Sequence, residues 1–452
     1  MNIDFLKKEK IIITFSSLIL FISVFLWDIK FEFFQAKYLI AFLLIYNVIL
    51  YEKKDIKYYL YFLGVIFLLY AHISFIENTL ILTKYINFSL IFLLIYAMVL
   101  YKLHKYFDKI LKYLLLFFIY FINFLFLIEL FGLDFYVYDH KNLVNGLCII
   151  CTKDNFTLFK LFFIENSHLS MMSAPVILYS FIDLKKKNRF EKVNVVFFTL
   201  INLIFFLSLT LIFGIIFSAI LILIFGLMKN FEDKKLILWP IIFSLIIFFS
   251  VPNCWARVYQ VVNANILYDK IENNNYAKKL GDSLNFLKEF VKKEKGLGKV
   301  DDISSDSKDD NIKIIYETMN ATTIIHLNHY MVAFRSLTEK PFGYGFQNYE
   351  RATYEFAEKN KMVDEHSTLT FMNINDGSNN FNKMLVEFGV LNFVFLFLFF
   401  VFHFKTDLNN KSKIFIFSII VTQMFRAAGY FNGGFLFVIL AALFSIYIKQ
   451  SK

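Results

Sequence analysis

Residues 193–228 read VNVVFFTLINLIFFLSLTLIFGIIFSAILILIFGLM and contain no charged side chain. A helix needs roughly 20 apolar residues to cross the hydrocarbon core of a bilayer. At a rise of ~1.5 Å per residue, this run is too long for a single crossing. It therefore predicts two consecutive membrane helices, which we divide near Thr210.

The rest of the chain has the same character. Of its 452 residues, 58% are hydrophobic and 61 are Phe, so too little polar surface remains to cover a soluble domain. We predict an all-α polytopic integral membrane protein with about 12 transmembrane helices and three regions, 1–252, 253–384 and 385–452. The predicted crossings are 11–27, 36–51, 58–76, 85–101, 110–132, 158–182, 194–209, 211–228, 236–252, 385–404, 414–431 and 433–448.

The formal net charge of +10 comes from basic residues whose distribution along the chain fits a membrane topology. With a cytoplasmic N-terminus, the short inner segments carry 23 Lys and Arg residues and the short outer loops carry 6. This asymmetry predicts that both termini are cytoplasmic and that the loop 253–384 lies outside. Because the basic residues are dispersed over the inner segments, nucleic acid is not an expected partner, whereas membrane lipids are.

The large outer loop is predicted to be mainly helical. Residues 265–295 and 312–339 show helical patterns, and Pro341 ends the second of them. The acidic run at 296–311 predicts a mobile loop and lacks the spacing of a calcium-binding hand. No Walker loop, Rossmann fingerprint or zinc motif is present, so we predict neither a metal nor a cofactor. All three cysteines, Cys148, Cys151 and Cys254, map to the outer side. A disulfide between two of them is conceivable there.

The sixth crossing carries ionisable side chains. Glu165 and His168 are three residues apart and share a helix face. Because ionisable groups inside a bilayer are costly, they usually face a cavity lined by water or protein. The alternative is a structural hydrogen-bond cluster that holds helices together.

Arginine is used sparingly, since five Arg residues stand beside 42 Lys residues. Four of the five map to the outer side: Arg257, Arg335, Arg351 and Arg426. Planar, bidentate donors suit phosphate and carboxylate groups, although chance could also produce this distribution. Arg426 falls inside the eleventh crossing, where Glu165 or a bound anion could be its partner, and where snorkelling to the interface is the alternative.

The large outer loop contains three short motifs: Phe334-Arg335-Ser336, Pro341-Phe342-Gly343-Tyr344-Gly345-Phe346-Gln347-Asn348-Tyr349, and Asn379 followed by Glu387-Phe388-Gly389. Two further elements in the predicted crossings are Glu165-Asn166-Ser167, and Arg426 followed by Gly429-Tyr430-Phe431. Together with about twelve helices and one large, late outer loop, these motifs make the chain resemble the O-antigen polymerase and ligase superfamily, and Wzy-type polymerases in particular.

The resemblance implies a glycosyltransferase of the bacterial inner membrane. It would polymerise undecaprenyl-pyrophosphate-linked oligosaccharide repeat units at the periplasmic face. The product would be O-antigen or a similar surface polysaccharide. A chain-length regulator is a possible protein partner. Three carboxylates are candidates for the base that takes up the acceptor's proton: Glu165, Asp376 and Glu387. The implied catalytic residues are Arg335, Arg426, Glu165 and Glu387. The implied substrate-binding residues are His168, Gly343, Gly345, Asn379, Arg351 and Arg257.

Two alternatives stay open. An O-antigen ligase or O-oligosaccharyltransferase of the superfamily would carry His where this chain has Ser378, which favours the polymerase. The usual Ser-Arg after the seventh crossing is replaced by Ser208-Leu209, which leaves no arginine role there. A lipid-linked glycan flippase would do no chemistry, but such transporters often contain internal repeats, and none is detected here.

Overall fold

A computed structural model describes residues 3–26, 36–49, 56–77, 84–131, 166–182, 184–205, 208–225, 227, 234–250, 321–359, 374, 376–406, 408–427 and 429–447. Within these ranges the regular elements are all helical and no strand occurs, which confirms the all-α class. The chain divides into two compact units. Unit 1 comprises 1–65, 90–247 and 397–452, and unit 2 comprises 66–89 and 248–396.

Fifteen α-helices lie in the described ranges, and short 3₁₀ or π turns adjoin several of them. They are α1 (Ile3–Leu20), α2 (Ile40–Ile49), α3 (Ile56–Glu77), α4 (Lys84–Leu103), α5 (Phe107–Leu130), α6 (Asn166–Phe181), α7 (Arg189–Ile204), α8 (Leu209–Ile224), α9 (Leu238–Ser250), α10 (Ala321–Glu339), α11 (Tyr349–Lys359), α12 (Asn380–Phe388), α13 (Leu391–Lys405), α14 (Asn410–Phe425) and α15 (Phe435–Tyr447).

The core of unit 1 is built on α6, α8 and α14, which pack against one another. Small, buried side chains lie on all three helices, among them Ala174, Ser218 and Thr422. A Cβ atom added at Gly214 would lie 2.9 Å from Thr422 Cγ2 and 3.2 Å from Ala174 Cβ. Small residues of this kind let helix backbones approach closely, and close packing is what holds helices together in lipid.

The predicted division of the 193–228 run is confirmed. Helix α7 ends at Ile204 and α8 begins at Leu209. Ser208 caps the N-terminus of α8, because its hydroxyl oxygen accepts a hydrogen bond from the backbone N–H of Thr210 at 3.2 Å.

Two other predicted crossings are not single helices. The run 385–404 is divided between α12 and α13, because Gly389 adopts a φ of +56° that a helix does not contain. The run 414–431 stops being helical at Phe425, and Arg426 follows as an extended C-cap residue with φ −149° and ψ 129°. The glycine-rich segment 429–434 disfavours continuation of that helix. Arg426 is therefore at the end of α14 and not inside a helix, which corrects the sequence prediction.

Two helical stretches are long and apolar enough to cross a membrane among the residues that the structure describes. The first is Ile56–Ile76, within α3. The second is Ile86–Ile128, which contains most of α4 and α5 and the 3₁₀ turn His104–Tyr106 between them. Four shorter apolar helices accompany them. The number of twelve crossings and their orientation stay predictions.

The close packing at Gly214 predicts a selective effect of added volume. Gly214→Ala should lower the free energy of unfolding by about 1–3 kcal/mol, because the new methyl group is forced against Thr422 and Ala174. Gly64→Ala is the matched control, since Gly64 is also helical but has no atom within 4 Å of an added Cβ; it should be neutral or slightly stabilising. Thermal unfolding of the purified protein in detergent measures both, and equal shifts for the two variants would contradict the packing.

Candidate functional site

Two of the loop motifs meet in unit 2. The turn at residues 341–345 lies against residues 386–390, which follow it by some forty positions in the chain. Three backbone N–H groups donate to carbonyl oxygens across this contact, each at 2.8 Å: Tyr344 to Val386, Gly345 to Glu387 and Val390 to Pro341. The Pro-x-Gly-x-Gly and Glu-x-Gly motifs therefore form one structural feature, which we call the double turn.

Two glycines make the double turn possible. Gly343 has φ +83°, and a Cβ atom there would collide with the backbone oxygen of Glu387 and lie 2.6 Å from the nitrogen of Phe388. Gly389 has φ +56°, and its added Cβ would collide with the carbonyl oxygen of Pro341. Both positions need a left-handed backbone and the absence of a side chain. For Gly343, predicted to bind substrate, the structure provides a packing role.

Helix α12 buries a polar stripe. Asn380, Lys383 and Glu387 are spaced three and four residues apart, so they share one face, and each is at most 1% exposed. The ammonium nitrogen of Lys383 lies 3.2 Å from Oε1 of Glu387. Removing both charges from water is expensive, and their mutual attraction offsets that cost only while both are present. The pair therefore depends on α12 staying packed.

Tyr349, the first residue of α11, links that helix to α10 beside this stripe. Its ring is fully buried, and its hydroxyl lies 3.0 Å from Nδ1 of His329 on α10 and donates to the carbonyl oxygen of His329 at 3.3 Å. Burial and then the negative charge of Glu387 raise the pKa of Tyr349 well above its ordinary value. Tyr349 consequently stays a neutral phenol, able to donate a hydrogen bond at physiological pH.

Asn379 is at the start of α12, as an N-cap. Its side-chain oxygen accepts a hydrogen bond from the backbone N–H of Asn382 at 2.8 Å, and the residue is fully buried. Burial raises the pKa of Tyr330, on α10, and a hydrogen bond with the Asn379 side chain acts to lower it, so Asn379 also interacts with that helix. Ser378 precedes it with φ +61° and is also buried. The capping role accounts for an Asn at this position whether or not it touches a substrate.

Arg335 and Arg351 both pair with a glutamate one helical turn further on. Arg335 Nε donates to Glu339 Oε1 at 2.6 Å, and its guanidinium carbon lies 5.6 Å from the centre of the Phe356 ring. Arg351 Nε donates to Glu355 Oε1 at 2.9 Å. Both side chains are partly exposed, so solvent and ligands can reach them. The stacked and paired geometry fixes the plane of Arg335.

Glu355 ties α11 to the turn at 341–345. Besides Arg351 it contacts Lys340 at 3.4 Å and accepts a hydrogen bond from the Tyr344 hydroxyl at 3.0 Å. Burial acts to raise the pKa of Glu355, but these hydrogen bonds and charges outweigh it and hold the pKa below its ordinary value. Burial, followed by the charge of Glu355, raises the pKa of Tyr344. The turn is thus anchored by polar contacts as well as by backbone pairing.

A separate polar pair lies in unit 1. Arg426 is only 3% exposed, and its Nη2 approaches Nε2 of His168, in the first turn of α6, at 3.5 Å. Nearby, Gln423 Nε2 donates to the carbonyl oxygen of Gly433 at 2.7 Å and holds the glycine-rich segment against α14. Two residues that were predicted as site residues, Arg426 and His168, are therefore neighbours.

Several predicted features lie outside the described residues. They are Glu165, Arg257, the three cysteines and the acidic run 296–311. Within the part of the chain that the structure describes, no group of three or more His, Cys, Asp or Glu side chains could hold a metal ion.

The sequence reasoning assigned no role to Lys383, Tyr349 or His329. Lys383 and Glu387 have the spacing of an ordinary exposed helix pair, so their spacing gave no sign that both are buried. Tyr349 lies four residues after the Pro-x-Gly-x-Gly turn, and His329 lies six residues before Arg335, but neither spacing is diagnostic.

Comparison of the chain with protein families, with curated proteins and with solved structures finds no match. The described residues define an all-α protein. Its unit 2 contains a buried polar cluster next to the double turn. The likeness to the O-antigen polymerase and ligase superfamily stays a prediction from the motifs.

The buried pair on α12 makes a prediction about stability. Lys383→Met should lower the free energy of unfolding by about 3–5 kcal/mol, because it leaves the Glu387 carboxylate buried without its cation. The double variant Lys383→Met/Glu387→Leu should recover most of that loss. Arg351→Met is the matched control, since it breaks a pair of the same spacing at the surface and should cost less than about 1 kcal/mol.

Equilibrium unfolding of the detergent-purified variants gives these free energies. A double variant as unstable as the single one would show that packing, and not the unpaired charge, causes the loss.

Proposed function

We propose that the protein is a multi-pass membrane glycosyltransferase that polymerises undecaprenyl-pyrophosphate-linked oligosaccharide repeat units at the outer face of the bacterial inner membrane. The observation that carries the proposal is the double turn. Two motifs that resemble the Wzy-type pattern are far apart in sequence, yet their backbones pair directly and bring the end of α10, with Arg335, into the same unit as Asn379 and Glu387.

The reaction follows from the substrate class. A hydroxyl oxygen of the acceptor sugar attacks the anomeric carbon of the donor glycan, and a new glycosidic C–O bond forms. The bond between that carbon and the pyrophosphate oxygen breaks, and undecaprenyl pyrophosphate leaves with the bonding electron pair. The hydroxyl proton passes to a base. Negative charge grows on the leaving group, so preorganised cations accelerate the step.

Arg335, in unit 2, and Arg426, in unit 1, are each proposed to act as an anion-binding cation in this reaction. Arg335 is partly exposed and has its plane fixed by Glu339 and the Phe356 ring, so little ordering is needed when an anion binds. Arg426 is buried beside His168, so an anion reaches it only if the residues around it move, and a guanidinium there interacts with an anion more strongly than in water.

Access distinguishes the candidate bases that the structure describes. Glu387 is fully buried and contacts Lys383, so an acceptor hydroxyl reaches it only if α12 moves. Asp376 is half-buried just before α12, three residues ahead of Asn379. We therefore prefer Asp376 as the base and assign Glu387 to holding α12. Glu165 is a third candidate, from the sequence alone.

The proposed activity is testable with purified protein in detergent or nanodiscs. Lipid-linked repeat units extracted from a strain that lacks the protein should be converted to a ladder of longer lipid-linked glycans, resolved by electrophoresis. In cells, loss of the protein should leave single repeat units on the surface. Long but unattached polymer in those cells would indicate a ligase instead, and an absence of any product with purified protein and intact substrate would contradict a polymerase.

The roles proposed for the two arginines predict that activity depends on the shape of the guanidinium group as well as on its charge. Arg335→Lys and Arg426→Lys should each lower the polymerisation rate roughly tenfold to a hundredfold, because an ammonium group cannot form the two parallel hydrogen bonds of a guanidinium. That range corresponds to the ~1.5–3 kcal/mol of one charge-assisted hydrogen bond. Arg189→Lys is the matched control, since Arg189 is exposed at the start of α7, in a predicted cytoplasmic loop. Full activity of both outer-face variants at normal expression would refute the roles.

A further inference from the structure

A histidine on α3 contacts the turn at 341–345. His72 Nε2 lies 3.0 Å from the carbonyl oxygen of Phe342, inside the turn. A carbonyl oxygen only accepts hydrogen bonds, so Nε2 carries the proton and donates. The bond joins residues that are 270 positions apart in the chain, both within unit 2. It is a long-range polar contact to the central turn of the candidate site.

The ring of His72 also packs on the other half of the double turn. It stacks on Phe388, with ring centres 5.7 Å apart and an angle of 22° between the planes. Phe388 is the last residue of α12 and directly precedes Gly389. One imidazole therefore touches both halves of the double turn, by a hydrogen bond to the first and by stacking on the second.

The neighbouring residues of α3 extend this contact. A Cβ atom added at Gly345 would lie 3.1 Å from Ile73 Cγ1, so the turn lies directly on α3 at the residue after His72. Two residues before it, the Tyr70 hydroxyl donates to Asn87 Oδ1 on α4 at 2.7 Å. The end of α3 is thus fixed to α4 on one side and to the turn on the other.

A histidine is unexpected at position 72, because the surrounding helix is strongly apolar. His72 lies near the end of Ile56–Ile76, one of the two stretches apolar enough to cross a membrane, where a polar side chain is costly. Its Nδ1 is buried and has no hydrogen-bond partner among the described residues, so the ring's polar contact in the described residues is the bond from Nε2 to Phe342. A residue that only filled space in a helix facing lipid would be apolar.

We propose that His72 is a positioning residue for the transfer reaction: it holds the double turn in the arrangement that places Arg335 and the segment before α12. This role rests on the proposed function above. His72 touches no reacting atom. It acts by fixing the carbonyl of Phe342 and the ring of Phe388, so its loss should let the turn move while the helices stay folded.

The chain offers three informative variants. His72→Phe keeps an aromatic ring that can stack on Phe388 but removes the donor. His72→Gln keeps an N–H donor at a similar distance from the backbone and should rescue the loss. His104→Phe is the matched control, because His104 also contacts a backbone carbonyl, that of Tyr101, and stacks on the Tyr101 ring at 6.0 Å and 23°, but it belongs to unit 1.

The first readout is independent of activity. Phe342 is 52% exposed, and its hydrogen bond to His72 uses the backbone, so Phe342→Cys in a variant with Cys148, Cys151 and Cys254 replaced by Ser reports on the turn. The rate of labelling by a membrane-impermeant thiol reagent should rise severalfold when His72→Phe is added. It should stay unchanged with His72→Gln or His104→Phe.

The second readout is the polymerisation rate. It should fall roughly two- to tenfold in His72→Phe, which corresponds to the net contribution of one hydrogen bond. It should recover in His72→Gln. Unchanged labelling and rate in His72→Phe, or an equal loss in His104→Phe, would overturn the proposal. If the wild-type protein makes no polymer, the proposed function fails, and with it the assignment of His72 to that reaction; a labelling change would then show only that His72 holds the turn.

Discussion

The backbone pairing of the double turn is the constraint on which the arrangement of unit 2 depends. Three N–H···O=C bonds at 2.8 Å join residues 341–345 to residues 386–390. They form only because Gly343 and Gly389 have no side chain where the two backbones meet. Once they have formed, the end of α10 and the whole of α12 have fixed positions, and so do the polar groups that these helices carry.

The charges buried in unit 2 follow from that arrangement. Lys383 and Glu387 are on a helix that has no freedom to turn its polar stripe outward, since its C-terminal end is tied to the turn. Tyr349 and His329 add hydrogen bonds beside the pair. Such a cluster contributes little net stability compared with an apolar core, but it makes misplacement of α12 expensive, because a shifted helix would leave charges unpaired. The cluster therefore favours one packing of α10, α11 and α12.

Unit 1 is held together by a different interaction. Helices α6, α8 and α14 meet through small residues around Gly214, where the helix backbones approach closely. The same packing brings the end of α14 beside the first turn of α6, so Arg426 and His168 become neighbours. Neither residue was placed there by its own local sequence.

The fold class and some local boundaries can be read from the sequence. Apolar runs predict the helices of the described residues, Ser208 starts α8, and Pro341 lies just after the end of α10, because these features depend only on neighbouring residues. The tertiary structure alone decided that Gly343 packs on the backbone of Glu387, that Lys383 is buried, and that His72 bonds to the turn. Each of these depends on a contact between segments that are distant in the chain. A periodic pattern contains no information about which distant backbone will lie against a given face.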